Sequence, residues 1–421
     1  MNRKKRILWL SDSPTTCSGF GVVAKNLLDN ICLQMGERIE IDVIAISVAL
    51  ERPIKYNQQI TIYDGRVDGD TYDNFCRSFF LNILRHSPHP YDAIFILQDF
   101  AVVGSMIPIL KDIKADFLKQ NKKSFKSMWY APIDGYMHKD LIKGIEFFDH
   151  IATYTEYGKD IITAANPKLT AKIKVIPHGC NTLEFYPLSD SEKQANRSIV
   201  FENNKDKVIF VNVNRNQPRK GIVDTILAFE EAVREWDGKM HNNREPFLYL
   251  HMMRNDPMGY NLDHVFAQTS LVEGKDYMIA PERYFTSENW GVSTDMLNRI
   301  YNSCDALITT TLGEGWGLST TEAMAARLPV ICPYHTSLKY ISGAGKRAKI
   351  LMNLYPSCSP NDNIIREQVE ISETASVMQD LSWALNNRDK KIMDMIDEAE
   401  KFVKGLKWSS IASHFVDWVN F

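Results

Sequence analysis

The segment GEGWGLSTTEA, which runs from Gly313 to Ala323, concentrates residue types that can bind a polar ligand. Its three glycines let the backbone approach a ligand closely, and a helix that begins after them offers amide groups to phosphate or sugar oxygens. Glu314 and Glu322 would lie about 12 Å apart on a continuous helix, so they suit two parts of one elongated ligand better than one shared proton. Carboxylates accept hydrogen bonds from hydroxyl groups well. The segment therefore predicts recognition of a hydroxyl-rich, phosphate-bearing ligand, although Glu322 alone would be interpreted as a helix-surface residue.

A basic loop, Asn214 to Gly221, follows the apolar run VIFVNV and precedes an amphipathic helical pattern. It carries Arg215, Arg219 and Lys220. At the carboxyl end of a parallel strand, guanidinium and ammonium groups match the oxygens of a diphosphate. We predict diphosphate binding here, and the alternative is a solvated basic loop.

A third candidate, SGFGVVA, begins at Ser18 and opens the first predicted helix. Gly19 and Gly21 would let the backbone approach an anion at the helix start. The letters also match the dinucleotide fingerprint GxGxxA, but about eight residues separate them from the first strand and the second strand ends without a ribose-binding acid. We reject the dinucleotide interpretation and keep a ligand-free glycine hinge as the alternative.

These three segments need a scaffold of alternating strands and helices. Short β-rich runs such as RILWL, IDVIAIS and AIFIL alternate with helical patterns, pause at a polar stretch over residues 188–207, and resume from VIFVNV onward. The rhythm predicts an α/β fold with two doubly wound Rossmann-like parallel sheets, in which ligands bind beyond the carboxyl ends of the strands, in a cleft where the two sheets face each other. We expect domains at residues 1–185 and 186–400, with the polar stretch as their connection.

Bulk composition excludes several classes of protein. A net charge of -3 over 421 residues gives no general attraction to nucleic acid or membranes. The seven cysteines are widely spaced, which predicts reduced thiols rather than disulfides or a zinc site. The longest apolar run, from Val43 to Leu50, is too short to cross a bilayer, and the basic start lacks a signal-peptide core. We therefore expect a cytoplasmic protein without a transmembrane segment.

The E-x7-E spacing, the GEGWGL loop, the following EAMA and the strand PVI together resemble the signature of family 4 glycosyltransferases. Arg215 with Lys220-Gly221 resembles that family's diphosphate-binding pair. Pro177 to Cys180 resembles its hinge-proximal turn, and Gly19-Phe20-Gly21 its amino-terminal glycine loop. The resemblance implies the two-domain GT-B architecture and a retaining transfer of a sugar from a nucleotide-sugar donor, with no bound metal or other cofactor.

The resemblance also implies roles for individual residues. Arg215 and Lys220 would stabilise the departing diphosphate, Glu322 would hold the donor ribose, and Glu314 would lie near the transferred sugar. A base-facing turn is expected at Pro281 to Tyr284. The remaining donor-binding positions implied in this way are Arg283, Gly315, Trp316, Gly317 and Leu318.

One departure from the family pattern concerns a histidine that many relatives carry after the strand written here as SMWYA. In this chain Asp134 stands at the matching position and His138 has the matching side chain, so both are candidates for the place beside the donor sugar. The alternative for His138 is an ordinary histidine at the start of a helix. The last helix, over residues 401–421 with Trp408, Phe415 and Trp418 on one face, resembles the family helix that crosses back to the first domain. Its alternative is a terminal helix packed on its own domain.

Other functions remain open at this level. An epimerase or a phosphorylase shares the architecture, and a sugar-nucleotide sensor would be the nonenzymatic alternative. The set Arg215, Lys220, Glu314 and Glu322 argues against a sensor, because a binding module need not keep leaving-group cations. The acceptor is unidentified and is expected on the first domain, where a glycan, a lipid, or a hydroxymethylated DNA base if the source is a phage are candidates. Lysines at 119, 122, 123 and 126, with the basic start MNRKKR, form a candidate patch for an anionic acceptor, and a solvated lysine face is the alternative.

Overall fold

The computed structural model describes residues 3–69, 71–285, 291–358 and 364–420. The chain divides into two compact units. Unit 1 comprises Met1–Ile133, Met137–Gly179 and Lys407–Phe421, and unit 2 comprises Asp134–Tyr136 and Cys180–Leu406. The main division therefore falls between residues 179 and 180, where the sequence placed it after residue 185.

Unit 1 is built on an eight-stranded sheet in the order β10-β9-β8-β7-β1-β2-β4-β3. Its strands are parallel except that β3 pairs antiparallel with β4, and a separate two-stranded hairpin is formed by β5 and β6. The strands are β1 Lys5–Asp12, β2 Ile39–Ile46, β3 Ile54–Lys55, β4 Ile60–Asp64, β5 Val67–Asp68, β6 Thr71–Tyr72, β7 Ala93–Ile96, β8 Lys126–Ala131, β9 His150–Thr153 and β10 Ile173–Val175.

Four helices accompany this sheet: α1 Gly19–Met35, α2 Arg77–His86, α3 Phe100–Lys119 and α4 Glu156–Ala165. The central strands are buried almost without interruption, as Ile7 to Leu10 in β1 and Ala93 to Ile96 in β7 show. Continuous apolar runs are expected where helices cover both faces of a parallel sheet, which is why these strands were readable from sequence.

Unit 2 contains a six-stranded, wholly parallel sheet in the order β13-β12-β11-β14-β15-β16. Its strands are β11 Val208–Val213, β12 Pro246–His251, β13 Tyr277–Ile279, β14 Ala306–Ile308, β15 Val330–Pro333 and β16 Lys349–Leu351. The helices are α5 Asp190–Phe201, α6 Ile222–Arg234, α7 Leu262–Phe266, α8 Thr294–Asn302, α9 Leu318–Ala325, α10 Thr336–Ser342, α11 Ile371–Asn386 and α12 Lys390–Lys404. The predicted α/β class, with two parallel-sheet units, is confirmed.

Two details of the sequence interpretation are wrong. The polar stretch over residues 188–207 is not a connection, because most of it forms α5, which belongs to unit 2 and starts with a capping box between Ser189 and Glu192. An antiparallel hairpin, β17 Leu354–Cys358 with β18 Ile365–Val369, was missed by the sequence interpretation.

The last helix, α13 Trp408–Val419, belongs to unit 1 and packs against α1. Gln34 of α1 donates to the carbonyl of Ser409 at 2.7 Å, and Phe415 meets the ring of Phe95 edge-on at 5.2 Å. Gly179 has no room for a side chain, because an added Cβ would lie 2.5 Å from the indole of Trp408. The glycine of the Pro177–Cys180 turn is therefore explained by packing within unit 1.

None of the helices in the described ranges is both long and apolar enough to cross a bilayer.

Candidate functional site

The basic loop after β11 lies at the carboxyl edge of the unit 2 sheet. Arg215 directs its guanidinium at Asp256, with Nε to Oδ2 at 2.8 Å and Nη2 to Oδ1 at 3.3 Å. The Asp256 side chain is fully buried, whereas that of Arg215 is 50% exposed. The amide of Met258 also donates to Asp256 Oδ1, at 2.8 Å, which fixes the carboxylate from behind. A buried acid thus holds an otherwise exposed guanidinium in one orientation, with part of its surface open to a ligand.

Lys220 ends a short 3-10 turn, Pro218–Lys220, and its ammonium forms an ion pair with Oε1 of Glu314. The next residue, Gly221, adopts φ +61°, and an added Cβ would lie 2.1 Å from the carbonyl oxygen of Thr310. Thr310 in turn donates its hydroxyl to the carbonyl of Gly221 at 2.6 Å. The Lys-Gly pair is therefore locked against the end of β14, which places Lys220 beside Glu314.

Arg219 extends this ion pair into a chain of alternating charges. Its Nε lies 3.2 Å from Oδ2 of Asp134, and its Nη1 lies 3.7 Å from Oε2 of Glu314. Arg366, almost fully buried in β18, contacts Oδ1 of Asp134 at 3.0 Å. Three cations and two carboxylates therefore meet at one place, and the cations outnumber the acids.

The pKa shifts follow from this arrangement. Burial lowers the pKa of Lys220, although the neighbouring Glu314 carboxylate opposes that change. Burial alone would raise the pKa of Glu314, but the charges of Lys220 and Arg219 hold it below its usual value. Glu314 is thus a fixed anion, and a ligand phosphate that approaches Lys220 competes with it for the ammonium group.

The glycine loop from Gly313 to Gly317 leads directly into α9. Gly313 passes so close to the Asp134 carbonyl that an added Cβ would lie 1.9 Å from its oxygen, and Gly317 adopts φ +103°. The carbonyl of Trp316 accepts from Ser337 at 2.7 Å, which fixes the loop on α10. No described side chain caps α9 at Gly317. The amides of Thr320 and Thr321 donate to the carbonyl of Gly317. Those of Leu318 and Ser319 form no hydrogen bond with the described residues and can face an anion.

Glu322 occupies a different environment, one turn into α9. Tyr301 of α8 donates its hydroxyl to Glu322 Oε2 at 2.9 Å. Burial raises the pKa of Glu322 to about 7, with Glu184 adding to the rise and the Tyr301 hydrogen bond opposing it. Glu314 precedes α9 and pairs with Lys220, whereas Glu322 lies within α9 and contacts Tyr301. The two glutamates therefore contact different groups, as their spacing in the sequence indicated.

Arg283 lies in an exposed 3-10 turn, Glu282–Tyr284, that follows β13. Its guanidinium carbon is 5.5 Å from the centre of the Tyr284 ring. Buried His251, at the end of β12, has its ring centre 6.2 Å from that of Tyr284. Burial lowers the pKa of His251 to about 4, so this imidazole is neutral at physiological pH. An aromatic corner thus lies at this end of the sheet.

The glycine loop of unit 1 has a structural explanation. Ser18 caps α1 by accepting a hydrogen bond from the amide of Gly21 at 3.0 Å, and its hydroxyl donates to Asp12. An added Cβ at Gly21 would lie 2.4 Å from the hydroxyl oxygen of Thr16. Gly19 is exposed at the helix start. One of the two amides predicted to face an anion is therefore already used by the cap.

The two candidates of the 134–138 segment fall in different units. Asp134 belongs to unit 2, where it pairs with Arg219 and Arg366. His138 belongs to unit 1, has a side chain that is 53% exposed, and faces Asp140 with Nδ1 to Oδ2 at 3.2 Å. Within unit 2, the structure thus joins Asp134 to the site around Lys220.

Three residues of this site escaped the sequence interpretation: Asp256, Tyr301 and Arg366. Each reaches its partner from a distant stretch of sequence. Asp256 follows β12, so its place at the carboxyl edge of the sheet was the one available signal. Nothing in the local sequence marks Arg366 or Tyr301, because an arginine in a polar hairpin and a tyrosine in an amphipathic helix are ordinary.

A known protein family matches the part of the chain that contains the glycine loop, Glu314 and Glu322. Residues 289–352 match the family model described as "Glycosyl transferases group 1". A curated relative, the serotype-specific mannosyltransferase WbdA of Escherichia coli, is 34% identical over 123 residues. That match covers 29% of this chain and 13% of WbdA, so the chain spans only a small part of that relative.

Solved structures match nearly the whole chain. Sucrose-phosphate synthase from Thermosynechococcus elongatus gives a TM-score of 0.68 at 14% identity, covering 99% of this chain and 98% of that one. HepE from Anabaena, in complex with UDP and glucose, gives 0.66 at 12% identity and 99% coverage of both chains. A trehalose-6-phosphate structure from E. coli, bound with UDP-2-fluoro glucose, gives 0.66 at 13% identity and 99% coverage of both. At these identities the likeness shows the fold, which is the GT-B fold.

Proposed function

We propose that this protein is a glycosyltransferase that takes a sugar from a nucleotide-sugar donor. The observation that carries the proposal is the ion pair between Lys220 and Glu314 at the carboxyl edge of the unit 2 sheet. Glu314 lies inside the region, residues 289–352, that matches the glycosyltransferase family model. An anionic ligand can compete with the Glu314 carboxylate for the buried ammonium of Lys220. A donor diphosphate has that charge.

Arg215 and Lys220 are proposed to stabilise the diphosphate as it leaves. Negative charge grows on the diphosphate when its bond to the sugar breaks, so cations fixed beforehand favour the transition state over the ground state. Asp256 fixes Arg215, and Glu314 together with the Gly221 turn fixes Lys220. The amides of Leu318 and Ser319 at the start of α9 supply further donors to the same group.

Glu322 is proposed to bind the donor ribose, and Glu314 to lie beside the transferred sugar. A carboxylate with a pKa near 7 shares or releases its proton readily when hydroxyl groups approach it. Asp134, held between Arg219 and Arg366, is proposed to orient those cations rather than to contact the sugar. The aromatic corner that holds Arg283, Tyr284 and His251 is the proposed place of the base.

We further propose membership of family 4, retention of anomeric configuration, transfer of a hexosyl or pentosyl group and independence from divalent metal. UDP-glucose is the first donor to test, because HepE was solved with UDP and glucose. Among the described residues, Cys17, Cys32, Cys76, Cys180, Cys304 and Cys332 are free thiols, which agrees with a reducing compartment, and we propose that the reaction occurs in the cytoplasm. Unit 1 is proposed to carry the acceptor: a glycan, a lipid or a hydroxymethylated DNA base.

A thermal-shift screen against UDP-, GDP-, ADP-, CMP- and TDP-sugars tests the donor. A donor present at about 100 times its dissociation constant should stabilise the fold by roughly 2.7 kcal/mol. The responsive donor is then incubated with acceptors in the presence of EDTA, and the product anomer is assigned by NMR. A screen without any response would contradict the proposal, release of a free sugar isomer without acceptor would indicate an epimerase, and steep salt dependence of acceptor binding would favour DNA.

Lys220→Ala separates catalysis from simple binding. We expect turnover to fall by roughly 10²- to 10³-fold, the range seen when one preorganised donor to a developing charge is removed, with a smaller change in donor affinity. Lys239→Ala, which removes an exposed lysine from the same unit, is the control. Equal losses of affinity and turnover in Lys220→Ala would refute a role in the transition state.

A further inference from the structure

A basic groove lies in unit 1 at the amino edge of its parallel sheet, where β9 and β10 begin. Its volume is about 410 Å³, and it is lined by Asp149, His150, Lys168, Ala171, Lys172, Lys174 and Trp418. His150 is the first residue of β9, and Lys172 immediately precedes β10. The groove is therefore at the opposite sheet edge from the β1–α1 loop, and it is not part of the site described for unit 2.

Positive charge in the groove is only partly neutralised. Asp149 is already engaged by Lys114 at 3.0 Å, by Lys126 at 3.8 Å and by the amide of Ser127 at 2.8 Å. Lys172 donates to a backbone carbonyl, that of Glu146. Within the described ranges, no carboxylate forms an ion pair with Lys168 or Lys174. Two exposed ammonium groups thus converge on a concave surface without an acidic partner.

The back wall of the groove is rigid and aromatic. The His150 ring stacks on the Trp418 indole with centroids 4.7 Å apart and planes 13° apart, and the Lys174 ammonium lies 5.9 Å from the indole centre. Trp418 is only 3% exposed, so the stack is part of the packed core of the unit. Burial lowers the pKa of His150, Lys126, Lys174 and Lys172 lower it further, and Asp149 opposes them. The imidazole thus responds to the local positive field.

Several basic side chains near the groove are paired with carboxylates. At the start of β1 and before β8, Arg3 and Lys123 both pair with Asp92, at 2.7 and 2.6 Å. Arg6 pairs with Asp42 at 2.9 Å. Arg3 and Lys123 share one carboxylate, so the neighbouring positive charge is reduced rather than cancelled, whereas the groove itself is a concave surface of about 410 Å³. A compact anion fits the arrangement better than a nucleic acid backbone.

We propose that this groove binds the phosphoryl group of a phosphate-bearing ligand, either a free phosphorylated molecule or a lipid headgroup. Lys168, Lys172 and Lys174 supply ammonium groups that match phosphate oxygens. His150 also lines the groove. Because a bound anion favours the imidazolium form, the protonation state of His150 should change when the groove is occupied. The lysine patch inferred from the sequence at positions 119–126 lies partly in ion pairs, and the groove replaces it as the anion site.

The test uses the full-length Lys220→Ala variant, so that the proposed donor site does not compete for the probe. Inorganic pyrophosphate is titrated at pH 7.5 and constant ionic strength, while the ring resonances of His150 are followed by NMR and assigned through their loss in His150→Gln. We expect saturable shifts toward the imidazolium position. Lys168→Ala with Lys174→Ala should weaken binding by about tenfold or more, equivalent to 1.4 kcal/mol. Lys119→Ala with Lys122→Ala, which removes two other exposed lysines of unit 1, should leave it unchanged.

A second arm identifies the source of the phosphate. Vesicles of phosphatidylcholine with phosphatidylglycerol are sedimented with the protein, with and without pyrophosphate. Capture that is abolished both by pyrophosphate and by the groove variant assigns a lipid headgroup, whereas saturation by pyrophosphate without capture assigns a free ligand. The proposal is overturned if the His150 shifts do not saturate, if the groove variant binds as tightly as its parent, or if capture is indifferent to pyrophosphate.

Discussion

Two glutamates eight positions apart, Glu314 and Glu322, have opposite electrostatic surroundings in unit 2. Glu314 is surrounded by cations and is held as a carboxylate, whereas burial raises the pKa of Glu322, so that it keeps its proton to higher pH although the Tyr301 hydrogen bond opposes this. Of the two glutamates, Glu322 is the one whose pKa, about 7, lies near neutrality. The unliganded protein should therefore show this residue in its stability profile.

Glu322→Gln should stabilise the unliganded protein at pH 8 and have little effect at pH 4.5. The folded-state pKa of about 7 lies above the ordinary value of 4.5, so the folded chain binds more protons than the unfolded chain between these values. Stability is therefore lost as pH rises through this window, by on the order of 3 kcal/mol, and glutamine removes the loss. Urea unfolding of both proteins at several pH values measures the difference. Parallel profiles would show that Glu322 is ordinary.

Asp256→Asn tests whether the buried acid acts through Arg215. Asparagine keeps an oxygen for the amide of Met258 but gives up the charge that holds the guanidinium. We expect the Michaelis constant for the donor to rise by about tenfold, because a loosened arginine must be ordered again on binding. In the Arg215→Ala background the same substitution should have almost no effect. Additive losses in this double-mutant cycle would contradict a positioning role.

At the scale of elements, the turn that joins β11 to α6 is fixed by one glycine. Gly221→Ala should destabilise unit 2 by about 2–4 kcal/mol, because the residue has positive φ and the added Cβ meets the backbone of Thr310. Differential scanning calorimetry with and without donor measures the loss. Gly238→Ala is the matched control, since its added Cβ meets nothing within 4 Å. Equal stability of the two variants would mean that the turn readily rearranges.

Elements were predictable where one physical signal dominated. The central strands of the two main sheets, such as β1, β7, β11 and β12, are apolar runs, so they could be read directly from the sequence, whereas the polar edge strands β3 and β4 were not predicted. The hairpin of β17 and β18 was missed because its side chains are mostly solvent-accessible and its sequence lacks an apolar run. Helix α5 carried a readable capping box at Ser189 and Glu192, but its polar composition favoured a linker. The motif glutamates and cations were accessible to sequence reasoning, whereas their partners Asp256, Tyr301 and Arg366 depend on tertiary structure.

At the scale of the whole molecule, unit 1 depends on the end of the chain. Helix α13 buries Trp408, Phe415 and Trp418 among residues from the first 180 positions. Deletion of residues 407–421 should therefore expose the core of unit 1, since several large apolar side chains are lost at once.

Hydrogen-deuterium exchange should reveal which unit suffers from this deletion. We expect faster exchange in α1, β1 and β9 and nearly unchanged protection in β11 and β12, because the latter belong to the other unit. Ser413→Ala in the full-length chain, which removes one hydroxyl contact with Gln34, is the mild control. Uniform protection in the deleted chain would show that α13 is dispensable.

The three residues Asp134 to Tyr136 lie far from the rest of unit 2 in sequence, yet they are part of it, through Arg219, Arg366 and the carbonyl of Ile365. Chimeric enzymes made by exchanging the segment 180–406 between related genes would thus carry an incomplete half. The graft brings both arginines but inherits its acid from the recipient. A functional chimera should require that the recipient encode an acidic residue at position 134. The codons for residues 134, 219 and 366 should therefore be exchanged together, although they lie far apart in the gene.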